Sequence, residues 1–337
     1  MKTRANWIIA KTFHIIVATA VVLLGNLTIQ AQELAATTDA SAYTSATHVY
    51  KIVAGHEIRA DVYRSPGEEI RPAVIWIHGG ALIAGSRGGI SSWQLQKYLG
   101  AGFVVVSIDY RLAPETKLPA IVEDLEDAYA WVRTEGPGLF KIDPARVAVV
   151  GHSAGGYLTL MAGFRLEPRP RALVSFYGYG DITGRWYSQP DSFYNQRPPI
   201  SKSQAYEAVG NSVISNSAGP GRSRFQFYFY CRQQGLWPRE VSGHDPEKER
   251  SWFFEYEPLR NVTSAYPPTM LLHGEEDNDV PFQQSVLMAE AFELQNVDYE
   301  FIRRPEWGHQ FDRKRMGEST VHEAFSRVLA FLQKNVE

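Results

Sequence analysis

Cysteine is almost missing from this sequence, and neither sign of charge dominates it. Cys231 is the only cysteine among 337 residues, so no disulfide can form within the chain, and we expect its thiol to be a small buried hydrophobic group. The 34 basic and 37 acidic residues leave a formal net charge of -3. Without a basic field to gather phosphate backbones, nucleic acid is not an expected partner. A neutral or weakly polar small molecule fits the composition better.

The apolar run near the N-terminus is too short for a membrane-spanning helix. It covers residues 15–24, about half of the roughly twenty residues that a bilayer requires. Basic residues precede the run and polar residues follow it, which is typical of an export signal, and no cysteine follows it that could carry a lipid there. We predict a signal peptide over residues 1–31, cleaved after Ala31, and a flexible segment over 32–47. The mature protein would be periplasmic or extracellular, with no stable membrane anchor.

Internal repeats and low-complexity tracts are also absent, so residues 48–337 are expected to form one domain. A β-hairpin is predicted at its start, from residues 49–53 and 58–63. Apolar runs typical of buried parallel strands follow at 73–77, 103–108, 147–150, 173–177 and 269–272, and helical periodicity occurs at 120–133, 154–165, 282–294 and 319–334. This alternation predicts an α/β fold, with a mostly parallel central sheet, helices on both faces, and ligand chemistry at the carboxyl ends of the strands.

The stretch from about residue 182 to 262 interrupts the alternation. It is rich in proline, serine, glycine and aromatic residues. A segment this long and irregular inside a compact fold is usually a lid or a binding surface, so we predict an inserted cap. Its aromatic rings either pack a small core of their own or stack on sugars and aryl groups.

Ser153 is the candidate nucleophile. It lies in a G-x-S-x-G sequence from Gly151 to Gly155, between a predicted strand and a predicted helix. A tight strand-to-helix turn needs small residues two before and two after the serine, because a Cβ atom there would clash. Such a turn pushes the serine hydroxyl out above the sheet.

A second glycine motif follows the predicted strand at residues 73–77. His78-Gly79-Gly80-Ala81 allows successive backbone N–H groups to point into the cleft. Together with the amide of Ala154, the amides of Gly79 and Gly80 are expected to form an oxyanion hole. This spacing, one strand-helix-strand unit ahead of the serine, is much more specific than an isolated His-Gly-Gly turn.

A serine hydroxyl needs a histidine base and a carboxylate that orients this base. His309 is the candidate base, because it lies in a loop between a predicted strand at 299–302 and the last helix. His273, at the end of a strand, is its one serious rival, since His78 belongs to the glycine loop, His152 points away within its own turn and His322 lies on the last helix.

The acid is expected in the loop after the strand at residues 269–272. Four acidic residues occur there, and Glu275 and Glu276 read as a solvated turn, which leaves Asp277 and Asp279. No cluster in the sequence has metal-ligand spacing, and the calcium-binding EF-hand pattern is absent. We therefore expect neither a metal nor another cofactor.

Taken together, these motifs resemble the hormone-sensitive-lipase-like and carbohydrate-esterase-like branch of the α/β-hydrolases. The resemblance spans about residues 60–337 and is poor in the cap. It rests on four blocks, which are His78-Gly79-Gly80-Ala81, Asp109-Tyr110-Arg111-Leu112-Ala113-Pro114-Glu115, Gly151-His152-Ser153-Ala154-Gly155-Gly156, and residues 274–281 followed by His309.

The resemblance implies an α/β-hydrolase fold and selects the acid. Residues 274–281 match the pattern Gly-x-x-Asp-x-x-Val-Pro, which makes Asp277 the acid and not Asp279. It also implies a structural brace beneath the site, in which Arg111 pairs with Asp124. Two departures, His152 in place of an acidic residue and a cap late in the chain, argue against a long-chain lipase.

The expected activity is hydrolysis of carboxylic esters by Ser153, Asp277 and His309, with Gly79, Gly80 and Ala154 as the oxyanion hole. Short-chain or carbohydrate-linked acyl esters are the expected substrates. Two alternatives share the fold, namely a prolyl-oligopeptidase-like serine peptidase and a non-catalytic ligand-binding homologue such as the plant gibberellin receptors. The first usually carries a propeller domain, and the second has lost the catalytic histidine.

Overall fold

The computed structural model describes residues 43–218 and 223–337. The predicted signal peptide and the first part of the predicted flexible segment lie outside the described residues. The first strand begins at Thr44, so residues 44–47, predicted as flexible, belong to the sheet. They lack an apolar alternation, and they form a strand because the backbone of β1 pairs with β2 at the edge of the sheet.

Eight strands form one sheet within the described residues. They are β1 (Thr44–Val53), β2 (His56–Arg64), β3 (Arg71–Ile77), β4 (Val104–Ile108), β5 (Ile142–His152), β6 (Leu173–Phe176), β7 (Thr269–Gly274) and β8 (Tyr299–Arg304). Their order is β1-β2-β4-β3-β5-β6-β7-β8. Strand β2 runs antiparallel to β4, and all pairs from β4 to β8 are parallel. The predicted mostly parallel sheet is confirmed.

The predicted hairpin is formed by β1 and β2. A two-residue turn joins the strands, and both of its residues have positive φ, 49° at Ala54 and 83° at Gly55. This combination is typical of a type I′ turn, whose twist matches that of the flanking strands.

Most strands begin or end a few residues from their predicted bounds, and the differences in β5 and β6 have local reasons. Strand β5 begins at Ile142, five residues before the predicted start at 147, because Ile142 pairs with Arg71 across an irregularity in the register. Strand β6 ends at Phe176 because Tyr177 has a φ of 40°, which turns the chain out of the sheet. A hydropathy pattern predicts neither the irregular register beside β5 nor the turn at Tyr177.

Helices cover both faces of the sheet. They are α1 (Ser92–Gly100), α2 (Leu118–Thr134), α3 (Gly136–Phe140), α4 (Ala154–Arg165), α5 (Arg185–Ser188), α6 (Lys202–Tyr206), α7 (Phe225–Gln234), α8 (Trp237–Ser242), α9 (Gln283–Leu294), α10 (Phe311–Lys314) and α11 (Ser319–Val336). Short 3₁₀ segments occur at Arg87–Gly89, Tyr194–Gln196, Arg250–Tyr256 and Pro258–Arg260. None of the helices in the described ranges is both long and apolar enough to cross a bilayer.

The predicted cap lies between β6 and β7. It holds the short helices α5 to α8 and three of the 3₁₀ segments. Several of its large side chains are buried, among them Tyr187, Phe227 and Trp237. Part of its aromatic content therefore packs a core, which is one of the two interpretations of the sequence. Cys231 is also buried, as predicted.

Candidate active site

Ser153 occupies the sharp turn between β5 and α4. Its backbone has a φ of 57° and a ψ of −117°, a sparsely populated combination for a residue with a side chain. The Ser153 amide donates to the carbonyl oxygen of Phe176 at 2.9 Å, which ties the turn to the neighbouring strand. The serine side chain therefore stands at the carboxyl end of the sheet, at the mouth of a cavity.

The glycines that flank Ser153 are required by close backbone contacts. A Cβ atom on Gly151 would lie 2.1 Å from the carbonyl oxygen of Gly155, and one on Gly155 would lie 2.2 Å from that of Ile77. Both distances are far below any real Cβ contact, so no other residue fits without movement of the backbone. The expectation of small residues two before and two after the serine is confirmed.

The predicted oxyanion loop approaches Ser153 closely. A Cβ atom on Gly79 would lie 2.8 Å from the carbonyl oxygen of His152 and 3.2 Å from the Cβ of Ser153. Gly80 has a φ of 114°, and a Cβ there would lie 2.0 Å from the carbonyl oxygen of Ala84. Ala154 is the first residue of α4, where backbone N–H groups have no acceptor within the helix. Gly79 and Gly80 line the same cavity as Ser153, and Ala154 follows Ser153 in the chain.

His309 contacts both of its predicted partners. Its Nε2 lies 3.1 Å from the Oγ of Ser153, and its Nδ1 lies 2.7 Å from Oδ2 of Asp277. In the tautomer that satisfies both contacts, Nδ1–H donates to the carboxylate and Nε2 accepts from the serine hydroxyl. The three residues come from the loops after β5, β7 and β8, and sequence order alone did not require them to meet.

Asp277 is held as a carboxylate. Its Oδ1 accepts hydrogen bonds from the backbone amides of Asp279 at 2.8 Å and Val280 at 2.9 Å. Burial would raise the pKa of Asp277, but the neighbouring His309 and His273 hold that pKa well below its usual range. The acid is therefore ionised throughout the neutral pH range.

The pKa of His309 is raised above its ordinary value. Burial alone would lower it, and the negative charges of Asp279 and Asp277 outweigh the burial. The imidazolium form of His309 is thereby stabilised.

The rival histidine is fully engaged elsewhere. His273 is buried, with its Nδ1 2.7 Å from the hydroxyl of Ser285 and its Nε2 3.1 Å from the carbonyl oxygen of Val280. Its Nε2 also lies 3.2 Å from Oδ2 of Asp277. His273 thus contacts the carboxylate of Asp277, and within the described residues it makes no hydrogen bond with Ser153.

A buried polar network behind the site was not predicted. Oδ1 of Asp312 accepts from the hydroxyl of Tyr177 at 2.5 Å, and its Oδ2 accepts from Gln94 at 2.6 Å and lies 3.3 Å from Nε2 of His152. The ring of Tyr177 meets that of His309 edge to face, with centroids 4.6 Å apart. Asp312 follows His309 by three residues, and no sequence motif distinguishes it from a solvated aspartate.

The brace implied by the resemblance forms. The guanidinium of Arg111 donates to both carboxylate oxygens of Asp124, at 2.7 and 2.8 Å, and Asp124 is completely buried. Lys51 adds a second cation 2.9 Å from the same carboxylate.

Two adjoining cavities share His309 in their walls. One of about 220 Å³ lies between Ser153 and the oxyanion loop, and one of about 590 Å³ lies beyond His309. The larger cavity is walled by aromatic rings of the cap, which are Phe193, Tyr194, Phe225, Tyr228 and Phe229. No cluster of metal-ligating side chains occurs in the ranges 43–218 and 223–337.

Known proteins share this architecture. A family model described as alpha/beta hydrolase fold matches residues 74–313. The non-reducing polyketide synthase pkbA of Emericella nidulans is 31% identical over 345 residues, which cover 86% of this chain and 14% of that protein. The chain therefore spans about one seventh of the length of that curated relative.

Solved structures agree with the family match. A truncated carbohydrate esterase from gut microbiota has a TM-score of 0.65 and 22% identity, covering 88% of this chain and 98% of that one. A likeness at that identity shows the fold alone. An esterase of Pyrobaculum calidifontis is 26% identical, with a TM-score of 0.63 over 86% of this chain and 85% of the esterase. With most of its length matched by the family model, the chain belongs to the alpha/beta hydrolase fold family.

Proposed function

We propose that this protein is a serine esterase that hydrolyses carboxylic esters through Ser153, His309 and Asp277. The observation that carries the proposal is the contact of His309 with both partners, 3.1 Å to Ser153 and 2.7 Å to Asp277, beside a glycine loop. Family membership and the likeness to the Pyrobaculum esterase support ester hydrolysis in general.

The proposed reaction has two halves. Nε2 of His309 takes the proton of Ser153 as Oγ attacks the ester carbonyl, and the amides of Gly79, Gly80 and Ala154 stabilise the oxyanion. Nε2 then gives that proton to the departing alcohol, which leaves an acyl group on Ser153. Water enters, loses a proton to the same nitrogen and attacks the acyl-enzyme, and Ser153 regains its proton as the acid departs. Asp277 holds the imidazole in the required tautomer throughout.

The two cavities suggest which half of the ester binds where. Nε2 of His309 must reach the leaving oxygen, so the alcohol lies on the histidine side, where the larger aromatic cavity opens. The acyl group then occupies the chamber of about 220 Å³ beside the oxyanion loop. That volume suits a short acyl chain, and the aromatic walls suit an alcohol with a flat face, such as a sugar or an aryl group. We therefore propose short-chain acyl esters, including carbohydrate-linked ones, as substrates.

Substitution of the nucleophile tests the proposed function. Ser153→Ala should abolish hydrolysis of an aryl acetate, whereas Ser326→Ala, an exposed position on α11, should retain wild-type turnover. Retained turnover in Ser153→Ala would refute the assignment.

A substrate panel tests the finer proposal. Acetylated xylooligosaccharides, methyl ferulate, and 4-nitrophenyl esters of two, four and eight carbons would be compared by kcat/KM. We expect the acetyl esters to be preferred over the eight-carbon ester. Activity on the simple esters alone would exclude carbohydrate-linked esters from the proposed substrates. An acetyl thioester also belongs in the panel, because a segment of a polyketide synthase resembles this chain. A prolyl peptide anilide tests the alternative that the protein is a serine peptidase.

We also propose that the protein is exported. The support is the N-terminal pattern of basic residues, a short apolar run and polar residues before Ala31. Expression of the full chain in a bacterial host and N-terminal sequencing of the periplasmic fraction should give a protein starting near Gln32. Retention of Met1 in the cytoplasmic fraction would contradict export.

A further inference from the structure

Asp279 lies against the catalytic machinery although the proposed mechanism does not use it. Its Oδ2 is 3.4 Å from Nε2 of His309, the nitrogen that faces the hydroxyl of Ser153. It is separate from Asp277, which holds the opposite nitrogen, Nδ1, at 2.7 Å. The imidazole of His309 therefore has a carboxylate beside each of its two nitrogens.

Side chains of the cap fix the position of Asp279. Its Oδ1 accepts hydrogen bonds from the hydroxyls of Tyr194 at 2.8 Å and Tyr228 at 2.5 Å. Arg232, which is almost fully buried, donates to the same oxygen at 3.1 Å and to the Asp279 carbonyl at 2.8 Å. These donors leave Oδ2 directed at the histidine.

The cluster formed by Asp279, Asp191 and Arg232 carries a net negative charge. Arg232 is shared between Asp279 and Asp191, whose Oδ2 it contacts at 2.5 Å. One cation for two carboxylates leaves a formal charge of about -1 next to His309. A neutral imidazole presents a lone pair to Oδ2, whereas an imidazolium presents an N–H, so only the charged form of the ring is attracted.

We propose that Asp279 is a positioning residue that stabilises the imidazolium form of His309 from the Nε2 side and links this stabilisation to the cap through Tyr194, Tyr228 and Arg232. This inference rests on the proposed role of His309 as the general base. The proton still travels from Ser153 to Nε2 and on to the leaving oxygen, and Asp279 neither gives nor takes it.

Other groups also face His309, and the test must separate them from Asp279. The facing groups are Asp277 from the loop after β7, the ring of Tyr177 after β6, Ser153 after β5, and Lys314 of α10, whose Nζ donates to the His309 carbonyl. Lys314 lowers the pKa of His309, and the two aspartates raise it. Asp279→Asn removes one of these charges and keeps an oxygen that the tyrosine hydroxyls can use.

The experiment measures the pH dependence of kcat/KM for an aryl acetate. Because loss of a facing carboxylate disfavours the imidazolium, Asp279→Asn should move the acidic limb down by about one pH unit. Glu275→Gln, which removes the same charge from an exposed position in the same loop, should leave the limb unmoved. Asp279→Glu, which keeps the charge, should hold the limb near its wild-type position. An unmoved limb in folded Asp279→Asn would overturn the proposal, because Asp279 would then only anchor the cap.

A second readout keeps this test independent of catalysis. Titration of the His309 imidazole by NMR, in a Ser153→Ala background with and without Asp279→Asn, should show the same downward shift. Asp279→Ser is the second neutral variant if Asn impairs folding, with the same expected shift. If the wild type hydrolyses no ester, the proposed function fails, while the NMR titration still decides whether Asp279 acts on His309.

Discussion

Ser153 owes the position of its hydroxyl to a backbone conformation that its neighbours enforce. A φ of 57° at a residue with a side chain costs on the order of 1–3 kcal/mol, and the surrounding contacts must offset it. The Ser153 amide bonded to Phe176 and the glycines at 151 and 155 provide those contacts. The strain places Oγ beside the Nε2 of His309.

Asp277 is expected to contribute to rate far more than to substrate binding. Asp277→Asn removes the charge that faces Nδ1 of His309 and allows the wrong tautomer, so kcat should fall by about 10³–10⁴-fold with KM little changed. Steady-state kinetics on an aryl acetate checks this. A loss below tenfold would show that Asp277 is not the orienting acid.

The pH profile follows from the electrostatics of the histidine. Nε2 must be unprotonated to accept the serine proton, and the neighbouring aspartates raise the pKa of His309. Activity should therefore be complete above that pKa and fall as pH drops through it, with a midpoint above the usual value of about 6.5. A midpoint well below 6.5 in kcat/KM would contradict the raised pKa.

At the scale of elements, the turn after β5 and the loop after β3 are built by glycines that admit no Cβ. Gly155 packs directly against the carbonyl oxygen of Ile77, so the turn that holds Ser153 and strand β3 fit together only at this spacing. Helix α4 then starts where its first amide can face the oxyanion of the proposed reaction.

Gly155→Ala should damage folding. Its Cβ would overlap backbone and not a flexible side chain, so we expect a loss of about 2 kcal/mol or more. Gly100→Ala, at the end of α1 with nothing within 4 Å of the added Cβ, should instead be neutral or stabilise by up to about 1 kcal/mol. Urea unfolding of both variants compares their free energies of unfolding. Equal values would show that the backbone around residue 155 moves to accommodate the added Cβ without cost.

Elements with strong periodicity were predictable from sequence, and the side-chain networks around Asp279 and Asp312 were not. The pattern at residues 154–165 predicts α4 with its observed bounds, because apolar spacing reports burial directly. By contrast, the sequence pattern selects Asp277 as the acid and gives Asp279 no role, and it does not distinguish Asp312 from a surface aspartate. Their importance arises from Tyr228, Arg232 and Tyr177, which are distant in sequence, and only the tertiary fold brings them together.

At the scale of the whole molecule, a buried ion pair joins the cap to the block Asp109–Glu115, and a hydrogen bond joins it to the segment after β3. Arg224 contacts the carboxylate of Glu115 at 2.6 Å and donates to the carbonyl oxygens of Ile83 and Ala113, each at 2.6 Å. Glu115 ends one of the blocks that carry the family resemblance. The contacts of Arg224 therefore connect the cap to that block.

Loss of this connection should be costly. Arg224→Met leaves the buried carboxylate of Glu115 without its cation, for which we expect about 3–5 kcal/mol of destabilisation. Arg327→Met, which breaks an exposed pair with Glu300, should cost less than about 1 kcal/mol. Denaturant unfolding distinguishes the two, and a similar small loss in both would mean that the Arg224 pair is not structural.

The most direct test of the central claim is covalent labelling of the folded protein with a fluorophosphonate, followed by mass spectrometry of the peptides. The proposed mechanism predicts one adduct, on Ser153, that is lost in Ser153→Ala and strongly slowed in His309→Ala. A folded protein that takes up no label, or takes it up at another residue, would contradict the assignment of Ser153 as the nucleophile.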